Sequence, residues 1–335
     1  MQAQQEKLWV YPSVVPGQMA PPTVVEITAE NISQYALLSQ NQDPRYRNPS
    51  GNPEFGGAMV AMPSMVLSYA PLLRGEIAEH SGFVALERST TARRQTPFAK
   101  CEIRWFKPVM AGDTITGTQG VLEKYERRGS KFVTFRVEAA NQHGQPVAQF
   151  DYTCIFEYAQ GQRAVPQDRG TAAPSETSPG PNAGDSGATA LGAYDSISVG
   201  DLLATLTVSE GQEIINRKSE FRLAGTTGSG SNIHTDEEFA RENIFGGTVN
   251  SGPATMSYVD QMLELSFPLR AFYQGGRLLM RAIEPFRAGD TVTFEGEITG
   301  KRIDDGKKIV ECRVKGLNQR GDLVSLSDAV LVLPE

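Results

Sequence analysis

The phrase Ala-Gly-Asp-Thr-Ile-Thr begins at Ala111, and Ala-Gly-Asp-Thr-Val-Thr begins at Ala288. From Gly112 to Gly289 is an offset of 177, and the match holds there without a gap. Arg104 falls on Arg281, Pro108 on Pro285, Lys124 on Lys301, Gly129 on Gly306, and Asn141 to Gly144 on Asn318 to Gly321. Upstream, Phe55-Gly56-Gly57 meets Phe245-Gly246-Gly247 at an offset of 190, so the spacing between the two blocks is shorter in the second copy. A repeat of this length decides the architecture before any local pattern does. The chain reads as a tandem duplication.

Within each copy, alternating runs from Cys101 and from Arg277, broken at Gly and at Asn-Gln-x-Gly, predict antiparallel strands of a meander. Before them, helical spacing of Met62, Met65, Val66, Tyr69, Leu72 and Leu73 predicts one long apolar helix with Pro63 in its first turn. A second long helix is expected after Pro253. One helix wrapped by one curved sheet leaves strand edges unpaired. Joining the two copies edge to edge in one continuous sheet removes that difficulty. We therefore expect an α+β fold with an N-terminal unit over 1–159, a flexible linker rich in Pro, Gly, Ser and Ala over 160–193, and a C-terminal unit over 194–335.

The bulk properties exclude some functions. A net charge of -7 argues against nucleic-acid binding through phosphate neutralisation. No stretch approaches the run of about 20 apolar residues needed to span a membrane, and the N-terminus has no signal-peptide pattern, so the cytoplasm is the expected location. Cys101, Cys154 and Cys312 show no CxxC spacing and read as reduced core residues.

Three histidines are candidates for chemistry. His143 lies in a turn whose repeat partner is Arg320, and His80 reads as a helix-end residue. His234 differs, because it stands between a Gly/Ser loop and the second long helix, in His-Thr-Asp-Glu-Glu-Phe-Ala, with Phe245-Gly246-Gly247-Thr248-Val249-Asn250-Ser251-Gly252 following.

This stretch resembles the signature of the MaoC-like (R)-specific enoyl-CoA hydratases and dehydratases, members of the hotdog fold. His234, Asp236 and Ala240 match the motif histidine, aspartate and alanine, and Phe245, Val249 and Gly252 match the segment that ends in glycine. The resemblance covers both halves and implies a double hotdog, each half a long helix wrapped by a curved antiparallel sheet. It implies addition or removal of water at the 2,3-position of an acyl thioester, carried by coenzyme A or an acyl carrier protein, with no separate cofactor or metal. It also allows for a homodimer.

By the same resemblance, His234 is the catalytic acid/base, the Gly252 amide is the oxyanion donor, and Asn232 and Ser251 occupy substrate-binding positions. The catalytic aspartate position holds Ser229. A serine is a far weaker base than a carboxylate near neutral pH, so isomerisation, cyclisation, thioester hydrolysis (with Asp260 or Thr255 as candidates) and acyl binding without catalysis remain open. In the first copy the histidine, aspartate and glycine positions hold Tyr46, Asn41 and Met62. The first half is therefore expected to be non-catalytic and to house the acyl tail.

Overall fold

A computed structural model describes residues 6–47, 51–161, 193–225 and 232–334. The first half contributes β1 (Met19–Glu26), α1 (Ala29–Leu38), α2 (Val66–Tyr69), α3 (Arg74–His80), β2 (Phe98–Trp105), β3 (Thr114–Arg127), β4 (Ser130–Ala140) and β5 (Pro146–Glu157). The second contributes β6 (Leu206–Ser209), α4 (Gln212–Glu220), α5 (Glu237–Glu242), α6 (Gly252–Glu264), β7 (Arg277–Ala282), β8 (Thr291–Asp304), β9 (Lys307–Asn318) and β10 (Leu323–Leu333). Residues 162–192, nearly all of the segment read as a linker, lie outside the described residues.

The described residues form one ten-stranded sheet in the order β1-β3-β4-β5-β2-β7-β10-β9-β8-β6. The second half of this order mirrors the first. The halves join where β2 and β7 pair antiparallel from Lys100↔Arg281 to Arg104↔Arg277, the edge-to-edge union expected from the repeat. The structure is the double hotdog that the sequence implied.

The repeated phrase is a turn into a strand. Asp113 accepts from the Met110 amide at 2.8 Å, and Asp290 accepts from the Arg287 amide at 2.9 Å. The glycine before each aspartate is left-handed, with φ of 98° at Gly112 and 86° at Gly289, where a side chain would be strained. The Asn-Gln-x-Gly phrase is repeated for a similar reason. Asn141 Oδ1 accepts from the amides of His143 and Gln145, and Asn318 Oδ1 from those of Arg320 and Asp322. Both phrases persist because their side chains close the same turns.

The helices are less symmetric. α6 is a continuous helix of 13 residues, with Ser251 as its N-cap and Pro253 in its first turn. In the first half the expected long helix is broken. A 3-10 turn at Pro63–Met65 runs into the single turn of α2, and the chain leaves helical geometry at Ala70 (φ -127°, ψ 68°) before restarting as α3. Pro71 is the cause, since the residue before a proline is pushed out of the α region and the proline offers no amide to continue the ladder. His80 is the last residue of α3, and His143 lies exposed in its turn, as expected. Cys101, Cys154 and Cys312 are all buried and free, and burial pushes the Cys154 thiol up to about 11.

Candidate active site

His234 is held at both ends of its loop. Asn232 Oδ1 accepts from the His234 amide at 2.8 Å and the Thr235 amide at 3.2 Å, which closes the turn that presents the imidazole. From α4, Gln212 Nε2 donates to the His234 carbonyl at 2.7 Å while its Oε1 accepts from Thr248 Oγ1 at 2.8 Å. Asp236, matched to the motif aspartate, caps α5 by accepting from the Phe239 amide.

The ring itself meets the carbonyl of Val249, with Nδ1 2.8 Å from that oxygen. A carbonyl only accepts, so Nδ1 carries the proton and Nε2 presents its lone pair. Burial holds the imidazole below its ordinary value of 6.5, with Arg222 and Arg74 adding repulsion, so it is neutral at pH 7. A neutral ring with a fixed tautomer is what a general base requires.

Val249 leads into the start of α6. The Asn250 amide donates to Phe286, and its side-chain Nδ2 donates to Glu210 at 2.7 Å. Ser251 Oγ accepts from Ala254 N, the Thr255 amide donates to the Ser251 carbonyl, and Pro253 has no N–H. Among the described residues this leaves the Gly252 amide as the first-turn donor without a protein acceptor, at the positive end of a long helix. A Cβ at position 252 would stand 2.4 Å from Phe98 Cδ1, so this backbone passes directly under an aromatic ring from the other half.

His234 borders two cavities. One, of about 340 Å³, is also lined by Gly252, Phe98, Asn250 and Thr255. The other, of about 260 Å³, lies between the halves and is walled by Tyr35, Leu67, Leu72, Phe150 and Tyr152 from the first half and by Ser251 and Ser257 from the second. The structure thus brings together His234, Gly252, Ser251 and Asn232, the last two as the helix cap and the turn cap. Ser229 lies outside the described residues.

The corresponding place in the first half is filled. Met62 is buried, its sulfur 3.7 Å from Asn41 Nδ2, and Tyr46 is turned to donate its hydroxyl to Glu264 at 2.7 Å. The backbone amide of Ser64, at the start of that helix, donates to Asp260 Oδ2 at 2.6 Å. A carboxylate of the second half therefore occupies the anion-binding helix start of the first. Asp260 is committed to this contact across the halves, and Thr255 Oγ1 donates to the Ser251 carbonyl.

Residues 205–319 match the MaoC like domain, and residues 15–150 match the FAS1-like dehydratase domain region. The chain thus carries a MaoC-like dehydratase domain in its second half and a FAS1-like dehydratase region in its first. The two matches support hydratase or dehydratase-type chemistry in general. Among solved structures, the chain is similar to a MaoC-like dehydratase at 14% identity and a TM-score of 0.68, over 95% of this chain and 99% of that one. A MaoC-like dehydratase from Phytophthora capsici aligns at 13% identity and a TM-score of 0.58, over 95% and 97%. A Mycobacterium tuberculosis protein with a double hotdog fold aligns at 13% identity and a TM-score of 0.58, over 96% and 98%. At these identities the likeness is one of fold. No curated protein matches the sequence.

Sequence reasoning missed Gln212, Glu210 and Asn250, which fix the His234 loop and the approach to α6. Nothing in the polar sequence of α4 marks Gln212. The burial of Glu210 becomes visible only once β6 is seen beside α6. Tyr258 also donates to Glu210, at 2.8 Å.

Proposed function

We propose that the chain is a hydro-lyase acting at the 2,3-position of an acyl thioester, with one active site, in the second half. The observation that carries this reading is the hydrogen bond from His234 Nδ1 to Val249, which leaves Nε2 as a base beside the cavity that Gly252 also lines. In the hydration direction, His234 Nε2 takes a proton from a water that attacks C3. The developing enolate oxygen accepts from the Gly252 N–H, and the proton returns to C2. Dehydration is the reverse, with His234 removing the C2 proton and protonating the departing hydroxyl. The helix terminus is already oriented toward the charge that forms, which is the economical way to stabilise it.

The acyl chain is assigned to the cavity between the halves, and coenzyme A or an acyl carrier protein to the Gly252 side. The ring of Phe98 has to move from its place over Gly252 for the carbonyl oxygen to reach the amide. Ser229 stands where the resemblance expects an aspartate. His234 is then the principal proton carrier, and Ser229→Asp is expected to raise hydration of crotonyl-CoA.

The test is mass spectrometry of the protein incubated with trans-2-enoyl-CoA and (R)-3-hydroxyacyl-CoA thioesters, wild type beside His234→Ala. Gain or loss of one water that requires His234 supports the reading. Water exchange that survives His234→Ala overturns the assignment of His234 as the base, and silence across the panel while acyl-CoA still binds replaces the reading with a binding module.

A further inference from the structure

The cavity between the halves has an unusual charge pattern for a protein of net charge -7. Its walls carry Lys218, Arg222 and Arg74 beside His234, and no carboxylate among the described residues. Arg74 is already spent, because it pairs with Glu87 and donates to the Thr96 carbonyl and to Cys154. Arg222, at the exposed rim, donates only to the carbonyl of Phe221 among the described residues.

Lys218 is the informative one. It projects from α4, one helical stretch away from the Gln212 that holds His234. Its Nζ lies 3.5 Å from Ser257 Oγ and 3.9 Å from the centroid of the Tyr258 ring, and it makes no ion pair among the described residues. Glu210 and Asp260 are the acids in its surroundings and favour its charged form, but neither reaches ion-pairing distance of Nζ: Glu210 Oε2 accepts from Tyr258 and Asn250 and Asp260 Oδ2 from Ser64, while the other oxygen of each is buried without a hydrogen-bond partner. Protein packs around the ammonium closely enough to push it down to about 8, and what remains accessible faces the cavity. Three donors with one long hydrogen bond among them is a poor arrangement for a structural lysine. It is a good one for a site that awaits an acceptor.

We propose that Lys218 forms an acyl subsite for a carboxylate, so that the substrate is the thioester of a dicarboxylic acid rather than of a plain fatty acid. The inference rests on the acyl-thioester reading above. The carboxylate of the acyl tail takes the place of the missing acceptor at Nζ, while Leu67 and Leu72 cover the methylenes between it and the reacting carbons. Arg222 at the rim adds to the positive field along the way in. The phosphates of coenzyme A are the other anions that such a site could take, and the test separates the two.

Saturated thioesters cannot be hydrated, so their binding is independent of the chemistry. Calorimetry of the full chain with succinyl-, glutaryl- and adipyl-CoA beside butyryl-, valeryl- and hexanoyl-CoA reads the subsite directly. The expected result is a preference of tenfold or more for at least one dicarboxylyl thioester over its methyl-ended counterpart. Lys218→Met should bring that ratio close to one, and Lys218→Arg should keep part of it. Thermal unfolding of each variant verifies that it is folded.

Equal affinities at every chain length would overturn the proposal, and so would a preference that survives Lys218→Met. A loss in Lys218→Met shared equally by both series would assign the cation to the coenzyme phosphates and overturn it as well. His234-dependent hydration of crotonyl-CoA together with equal affinities would remove this inference alone. Selective binding without any water exchange would remove the hydratase reading alone.

Discussion

Gly252→Ala separates two reasons for a glycine at the start of α6. The added Cβ would lie 2.4 Å from Phe98 Cδ1 and equally close to Cγ. Carbon atoms in contact prefer about 3.5–4.0 Å, so the ring must retreat by roughly 1 Å. Overpacking of this kind costs about 1–3 kcal/mol. Phe98 also stacks edge to face on Tyr152 at 5.0 Å, which resists the retreat. The methyl would stand beside the amide assigned to the oxyanion as well, and losing one such donor costs about 10²–10³ in kcat. The two effects part company in the Phe98→Ala background, where the ring is gone. There, Gly252→Ala should cost little in melting temperature yet still reduce kcat/KM for crotonyl-CoA hydration by about 10²-fold or more, compared with Phe98→Ala alone. If Gly252→Ala is harmless to activity in that background, the glycine is needed only to pass beneath Phe98, and the oxyanion assignment fails.

Other consequences can be measured independently. Because burial holds His234 below 6.5, kcat/KM should be flat through neutral pH and fall only on the acid side of 6.5, as the base becomes protonated. An acid limb centred above 6.5 would contradict the buried neutral ring. Burial raises the Asp260 carboxyl well above its ordinary 3.8, so ionising it opposes folding, and stability is lost as pH rises from the ordinary value toward the raised one. Asp260→Asn should therefore raise the melting temperature of the protein at pH 8 relative to wild type and change it little at pH 5. An equal effect at both values would refute the assignment. Met62→Ala should destabilise by about 2–5 kcal/mol in urea unfolding, as large-to-small core changes do. It should also leave the number of tight acyl-CoA sites at one per chain, since Asp260 still occupies the helix start; a second site on calorimetry would show that Met62 alone had closed it.

Much of the architecture was legible because the duplication kept its turns. Asp113 and Asp290, and Asn141 and Asn318, each perform the same hydrogen bonding in both copies, so the repeat marks where strands begin and end. The union of β2 with β7 followed from the need to pair strand edges. The first-half helix misled the periodicity argument, because the apolar spacing ran on across Pro71 while the backbone could not. At the site, His234 and Gly252 were visible through their motif spacing. Lys218 was not, since a lysine in the polar stretch of α4 looks like any solvated helix residue until the first half closes over it. Asp260 carried a faint signal, as a carboxylate in the middle of a helix rich in Met, Val, Tyr and Leu, but its partner Ser64 is 196 residues away.

The mirrored strand order also has a consequence for how such a molecule can change. Were the same sheet assembled from two identical chains, every substitution would appear twice, and a residue that improved one site would be imposed on the other. Covalent fusion lifts that symmetry. Met62 could fill one helix start while Gly252 remained at the other, and the first copy could lend Tyr35, Leu67, Leu72, Phe150 and Tyr152 as a wall that changes independently of the residues around His234.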